Sequence, residues 1–278
     1  MFNFLRTKRF IKQAIPRAII LLYHRVVEEN HDSQLLCVSP DHFAEHMQIL
    51  NKYYIATRLM HLRRRLLPNP WPDRRVVITF DDGYADNYTN AKEIMETHEI
   101  PAIVWDGTPS LNPPKIFWWD ALERIFLSGQ PLPPQLELII NETLHIWEFS
   151  NDSGFDKNNT WNVLDDNAAN SYQKAYLDLM ILMHKQNIDE RETALKNIMN
   201  WAGSFSYPQR IPEIMNSKQL KELDKSELFD IGAHTVNHPS LAVLPVDEQR
   251  IEIVESKQFL EKIFGHSVKT FAYPYGQS

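Results

Sequence analysis

Four short segments of this chain carry residue types that can bind a cation and move protons. Asp81 and Asp82 stand side by side at the end of the apolar run Val76 to Phe80, and Gly83 follows them. Two adjacent carboxylates repel unless a cation separates their roles, and a glycine lets the backbone turn sharply enough for both to reach one site. One can then ligate an ion while the other stays free as a base. A solvated Asp-Asp-Gly turn is the plainer alternative. His234 and His238 lie four apart in GAHTVNHPSL, after the apolar run Phe229 to Ala233. That spacing puts both imidazoles on one side of a helical turn, although 11 histidines make chance pairs common. Two histidines and one carboxylate leave coordination positions open, the arrangement of a hydrolytic site that activates water. Phe271 to Gly276 reads FAYPYG, where Pro274 fixes the backbone and Gly276 frees it, so that a main-chain N–H can meet an oxyanion. Tyr23, His24 and Arg25 come where a first apolar run ends; a lone histidine there is more often a structural hydrogen-bonder than a catalyst.

The elements that must position these residues read as an α/β alternation. Ala18 to Val27 is a strand-like run with the character of a buried strand, and Pro40 to Tyr54 has helical spacing with Phe43, Met47 and Leu50 on one face. Val76 to Phe80, a helix over Asn87 to His98, and an apolar strand over Ile100 to Trp105 form a β-α-β unit. Such units give parallel strands covered by helices, and right-handed crossovers gather the functional loops at one end. From Pro109 to about Asn216 the pattern changes. Proline clusters, an Asn- and Asp-rich stretch over Asn151 to Asn170, and helical segments near Tyr172 to Lys185 and Glu190 to Trp201 read as a helical insertion at 109–216. Pro208 and Pro212 mark the return to the alternation, with a strand at Phe229 to Ala233, a helix from Val246 to Phe264 and a last strand at Val268 to Tyr273.

Composition narrows the function classes. The 278 residues, 43% hydrophobic, suffice for one domain with a sizeable core. Lys and Arg number 29 against 36 for Asp and Glu, a net charge of −7 that offers no broad attraction for nucleic acid. Cys37 is the only cysteine, so there is no disulfide scaffold and no thiolate metal cluster; an ion must sit on histidine and carboxylate. No run of roughly 18 apolar residues predicts a membrane span. Arg6, Lys8, Arg9, Lys12 and Arg17 alternate with Phe2, Phe4, Leu5, Phe10, Ile11 and Ile15 as in a basic amphipathic helix, which suits either a solvated helix or weak contact with a membrane surface. No signal peptide is evident. The expected location is cytoplasmic or peripheral to the inner membrane; oligomeric state is left open.

TFDDG at Thr79 to Gly83, H-T-x-x-H at His234 to His238 and FAYPYG at Phe271 to Gly276 together resemble the polysaccharide deacetylase family, the NodB-homology or carbohydrate esterase 4 group. The resemblance covers Ala18 to Thr108 and Phe229 to the C-terminus; the region between matches no motif of the family. It implies a distorted (β/α)7 barrel carrying a helical insertion, within one catalytic domain over 1–278. Asp81 would be the general base, with Asp82, His234 and His238 binding a divalent metal, most often zinc. The implied substrate is an N-acetylated carbohydrate. The family often has an arginine where Ala272 stands, which orients the catalytic carboxylate; either another cation does that job here, with Arg25 the candidate, or Asp81 is less well tuned. The late motif that usually supplies a catalytic histidine is not reached before Ser278, and the expected barrel is correspondingly incomplete at its C-terminal end. The segment YHRV resembles the branch acting on poly-N-acetylglucosamine, which makes His24 the acid; in the FAYPYG loop the Tyr275 backbone N–H would meet the oxyanion. Trp105, Trp118, Trp119 and Tyr84 are sugar-stacking candidates, and Asp120 a hydroxyl partner. The alternatives are a metallohydrolase of another amide or ester, and an inactive carbohydrate-binding barrel.

Overall fold

The computed structural model of the chain describes residues 18–64, 74–107, 116–149, 161–165, 168, 170–203 and 212–276. Strand β1 (Ala18–Tyr23) stops at His24, and two short strands beyond it, β2 (Arg25–Val26) and β3 (Cys37–Val38), pair in parallel. Helix α1 (Pro40–Tyr53) is started by Ser39, whose side chain accepts from the His42 amide, and Pro40 sits in the first turn, where its missing N–H leaves no bond unmade. Phe43, Met47 and Leu50 form its buried stripe, and each such side chain contributes about 1.5–3 kcal/mol on burial. Then come β4 (Ile55–Ala56), α2 (Leu59–Arg64) and β5 (Arg75–Phe80). A π-helical turn over Asn87–Ala91 leads into α3 (Lys92–Thr97), followed by β6 (Ala102–Asp106) and α4 (Trp118–Leu127). Strands β7 (Gln135–Ile140) and β8 (Thr143–Glu148) precede helices α5 (Ser171–His184), α6 (Ile188–Ala202) and α7 (Ser217–Asp224). Strand β9 (Phe229–Ala233) and helix α8 (Val246–Phe264) follow.

The main sheet is parallel, in the order β1-β5-β6-β9, with β4 paired to the start of β5. Strands β5 and β6 are buried almost throughout, which is why they read as continuous apolar runs. Register sets Tyr23 opposite Phe80, Phe80 opposite Val104 and Asp106 opposite Ala233. The residues that leave these strands, His24, Asp81, Gly107 and His234, therefore emerge along one rim, the end at which parallel α/β sheets build their sites.

Two hydrophobic cores lie beneath that rim. One joins the sheet to α1, α3 and α8 through residues such as Met47, Ile78, Val104 and Leu260. The other is built almost wholly from residues 117–198, among them Leu122, Leu136, Tyr176 and Ile198, with Tyr84 reaching in from the sheet side.

Three expectations change. The β1 run is not buried: Ile20 and Leu22 are 56% and 53% exposed, because β1 lies at the edge of the described sheet with only β5 beside it. The stretch expected to be a helical insertion is not purely helical, since β7 and β8 form an antiparallel hairpin whose alternating Leu136, Leu138 and Ile140 face the second core. The expected strand at Val268 to Tyr273 amounts to one bridge, Phe271 to Ala233. The basic amphipathic segment up to Arg17, the insertion's start at 109, Pro208 and most of Asn151 to Asn170 lie outside the described residues. Among those described, no helix is long and apolar enough to cross a membrane.

Candidate active site

The chain leaves β5 through two left-handed residues, Asp82 at φ +70° and Gly83 at φ +63°. Glycine is demanded at 83 for a second reason, because an added Cβ would stand 2.0 Å from Asp106 Oδ1. This turn aims Asp82 at the loop after β9. Asp82 Oδ1 lies 3.0 Å from His238 Nε2 and 3.5 Å from His234 Nε2, and the two imidazole rings are 4.9 Å apart. One ligand atom from each of the three residues lies within 4.8 Å of the others. The spacing of four does not place the histidines on a helical turn. Thr235 and His238 take left-handed φ values of +70° and +50°, and the His238 amide donates to Thr235 Oγ1 at 3.1 Å, so a tight loop brings the rings together.

This group suits a divalent cation. His234 Nδ1 is 3.0 Å from the Ala272 carbonyl, which makes Nδ1 the protonated nitrogen of the neutral ring and turns the Nε2 lone pair toward Asp82. Two ring nitrogens then converge on one carboxylate oxygen, a donor set of two nitrogens and one oxygen that zinc and its neighbours accept. Burial opposes ionisation of Asp82, yet His238 and His234 hold its carboxyl well below the usual carboxylate range. His234 is raised: burial pulls it down, but its bond to Asp82 and the charges of Asp82 and Asp81 prevail. For His238, burial wins over Asp82 and the ring is lowered.

Asp81 stays outside the ligand group. Its amide donates to the Tyr23 carbonyl at 3.0 Å, and burial, with help from Asp82, lifts its carboxyl above the ordinary value against the pull of His234 and His24. Asp81, His24 and Tyr275 share with the ligand group a cavity of about 650 Å³, also lined by Trp119 and His184. A second cavity, of about 780 Å³, lies against the same three ligands and is walled by Phe117, Trp118 and residues of α6. Tyr275 occupies the Pro274–Gly276 turn at φ +59°, with its ring 4.8 Å from His238 and 4.3 Å from His184.

Several expected roles are not available. Arg25 does not reach for Asp81: its Nε binds Asp86 at 3.0 Å, its Nη1 binds Glu29 at 3.3 Å, and its guanidinium lies over the Tyr84 ring. Neighbours in extended chain point to opposite sides, so His24 and Arg25 part company. Tyr84 is fully buried, accepting from Trp119 Nε1 at 3.0 Å and donating to Asp120 at 3.1 Å. That bond also occupies Asp120, itself buried and pushed up to about 8 by burial and Glu123. Trp105 is packed against Gly232, whose missing Cβ would otherwise lie 2.2 Å from the indole. Of the stacking candidates, Trp118 and Trp119 line the cavities, and Trp119 is stacked on Phe117 at 4.3 Å.

Sequence reasoning misses His184, Arg191 and Glu252. For two of these the signal was present. Arg191 belongs to the buried stripe Arg191, Ala194, Ile198 of α6, and Glu252 to the stripe Glu252, Ser256, Leu260 of α8. A charge on the apolar stripe of a helix calls for a partner in the interior.

Fold and site together define a class: a parallel α/β scaffold with an Asp-His-His cation group and a separate carboxylate at the carboxyl ends of its strands. The sequence profile described as polysaccharide deacetylase matches residues 160–278 of this chain. The deacetylase PplD of Streptococcus pyogenes, solved in complex with acetate, aligns over 95% of this chain and 76% of its own, with a TM-score of 0.53 at 18% identity. IcaB from Ammonifex degensii aligns over 94% and 75%, with a TM-score of 0.51 at 16% identity. Both share the fold. A peptidoglycan-N-acetylglucosamine deacetylase of Bacillus cereus is 38% identical over 47 residues, a match spanning 17% of either sequence.

Proposed function

We propose that this chain is a metal-dependent hydrolase that removes N-acetyl groups from the amino-sugar residues of a glycan. One observation carries the reading: a half-buried carboxylate with raised proton affinity, Asp81, stands beside but outside a convergent Asp82-His234-His238 group, and both face one cavity. A divalent ion held by Asp82, His234 and His238, zinc being the expected one, supplies Lewis acidity toward the acetamide carbonyl and toward water. Asp81 takes the proton of the attacking water, a task for which a carboxyl lifted above its ordinary value is suited. The Tyr275 N–H donates to the developing oxyanion, a contribution of roughly 3–4 kcal/mol for a preorganised donor. His24 passes a proton to the departing amine. Trp118 and Trp119 supply apolar wall against the sugar. In this reading the catalytic unit runs over 1–278 and residues 109–216 are inserted into it, as the separate core of 117–198 suggests.

The test is acetate release from N-acetylglucosamine oligomers by zinc-loaded protein, with chelated protein and Asp81→Asn alongside. Release that needs the metal and drops by about two orders of magnitude or more in Asp81→Asn supports the reading. Release from simple esters or other amides alone would move the substrate elsewhere. Tight oligomer binding with no release from any of these would make the chain a binding module.

A further inference from the structure

The loop that carries both histidines is gripped from two sides by charged residues with no part in the proposed proton transfers. From α8, Glu252 Oε2 accepts from the amides of Val236 and Asn237, each at 2.8 Å, and its Oε1 accepts from Asn237 Nδ2 at 2.8 Å. From α6, Arg191 Nη2 donates to the Asn237 carbonyl at 2.8 Å and Nη1 to the His238 carbonyl at 3.4 Å. Both side chains are buried, with residue exposures of 4% for Glu252 and 5% for Arg191. The Arg191 guanidinium also lies 5.8 Å from the Trp118 ring centre. A carboxylate thus takes the N–H groups and a guanidinium the carbonyls of one short stretch, and neither could do the other's work. That stretch has left-handed residues at Thr235 and His238, a conformation L side chains avoid unless their surroundings impose it. Two buried charges spent on the backbone of one loop fix where His234 and His238 aim their Nε2 atoms.

We propose that Glu252 and Arg191 are positioning residues of the cation site, and that the inserted helix α6 is through Arg191 a working part of that site. The inference rests on the reading of Asp82, His234 and His238 as ligands. Groups that orient metal ligands from behind typically change metal affinity by about ten- to hundredfold when removed.

The experiment measures zinc affinity by competition with a chromophoric chelator, and the cobalt(II) absorption spectrum, on the full chain and its variants. Glu252→Ala and Arg191→Met should each weaken zinc by about ten- to hundredfold and alter the cobalt spectrum. Glu252→Gln keeps an acceptor for the two backbone amides and should recover most of the affinity. Glu255→Gln, exposed on the same helix, should match the parent. Folded Glu252→Ala and Arg191→Met proteins with parental zinc affinity and cobalt spectrum would overturn the proposal. Should Glu252→Ala fail to fold, Arg191→Met alone decides by the same criterion. A parent chain that binds no zinc overturns it too. A parent that releases no acetate, with variants that still lose zinc, leaves the positioning roles standing and removes only the deacetylase reading.

Discussion

Replacing Gly83 by alanine should damage the fold and the cation site together, by an amount that can be divided between two causes. The residue sits at φ +63°, and a left-handed conformation costs a residue with a Cβ about 1–2 kcal/mol. The added methyl would also lie 2.0 Å from Asp106 Oδ1 and 2.8 Å from its Cγ, so the buried Asp106 must move, an overpacking cost of about 1–3 kcal/mol. The sum, roughly 2–5 kcal/mol, corresponds to a fall in Tm of about 5–15 °C for a chain of this size. A double-mutant cycle separates the parts. Asp106→Ala removes the carboxyl that collides, so Gly83→Ala should cost about 1–3 kcal/mol less in that background, while the backbone strain remains. Urea unfolding of the four proteins measures it. Additive losses, within about 0.5 kcal/mol, would show that the Cβ never meets Asp106 and would refute the packing argument.

Three further outcomes follow from the same geometry. Asp120 has a folded-state value near 8 against an ordinary 3.8, so folding takes up a proton between those limits and stability falls as pH rises through that window, by up to roughly 1.4 kcal/mol per unit. Asp120→Asn, neutral at every pH, should flatten that dependence in melts from pH 4 to 9; an unchanged slope would contradict the assignment. Arg25→Met, which removes the cation paired with the Asp86 carboxylate, should destabilise by about 3–5 kcal/mol yet leave the acidic limb of the pH–rate profile in place; a shifted limb would mean that Arg25 does tune Asp81. His184→Ala, which removes the ring edge-on to Tyr275 at 4.3 Å, should lower kcat/KM about fivefold through a contact of about 1 kcal/mol, with zinc affinity intact.

What the sequence made legible was governed by local chemistry. Helix α8 could be bounded at Val246 and Phe264, and the stripe of α1 named, because side-chain periodicity follows directly from backbone geometry. Asp82, His234 and His238 were legible as types at strand ends; their convergence within 4.8 Å depends on sheet register and on four left-handed residues, Asp82, Gly83, Thr235 and His238. Periodicity carries no trace of those φ values, which is why a helical turn seemed a suitable route between the histidines. The β7–β8 hairpin was hidden because its alternation, Leu136, Leu138, Ile140, occupies only six residues in a proline-flanked region. Arg25, Tyr84 and Asp120 are hidden for a different reason: Tyr84 donates to Asp120, Arg25 lies over the Tyr84 ring and pairs with Asp86, and such long-range partners are not written locally.

The division into two cores has a bearing on how such a molecule can diversify. The Asp82, His234 and His238 side chains hang from strands anchored in one core, while Phe117, Trp118 and Trp119, which wall the cavities, belong to the other. Substitutions that reshape the walls can accumulate in the second core without displacing a strand that bears a ligand. Under the proposed function, changes of glycan preference are thereby decoupled from retention of the hydrolytic step, except at Arg191, where a residue of α6 holds the loop of His234 and His238 and drift in one core is felt by the other.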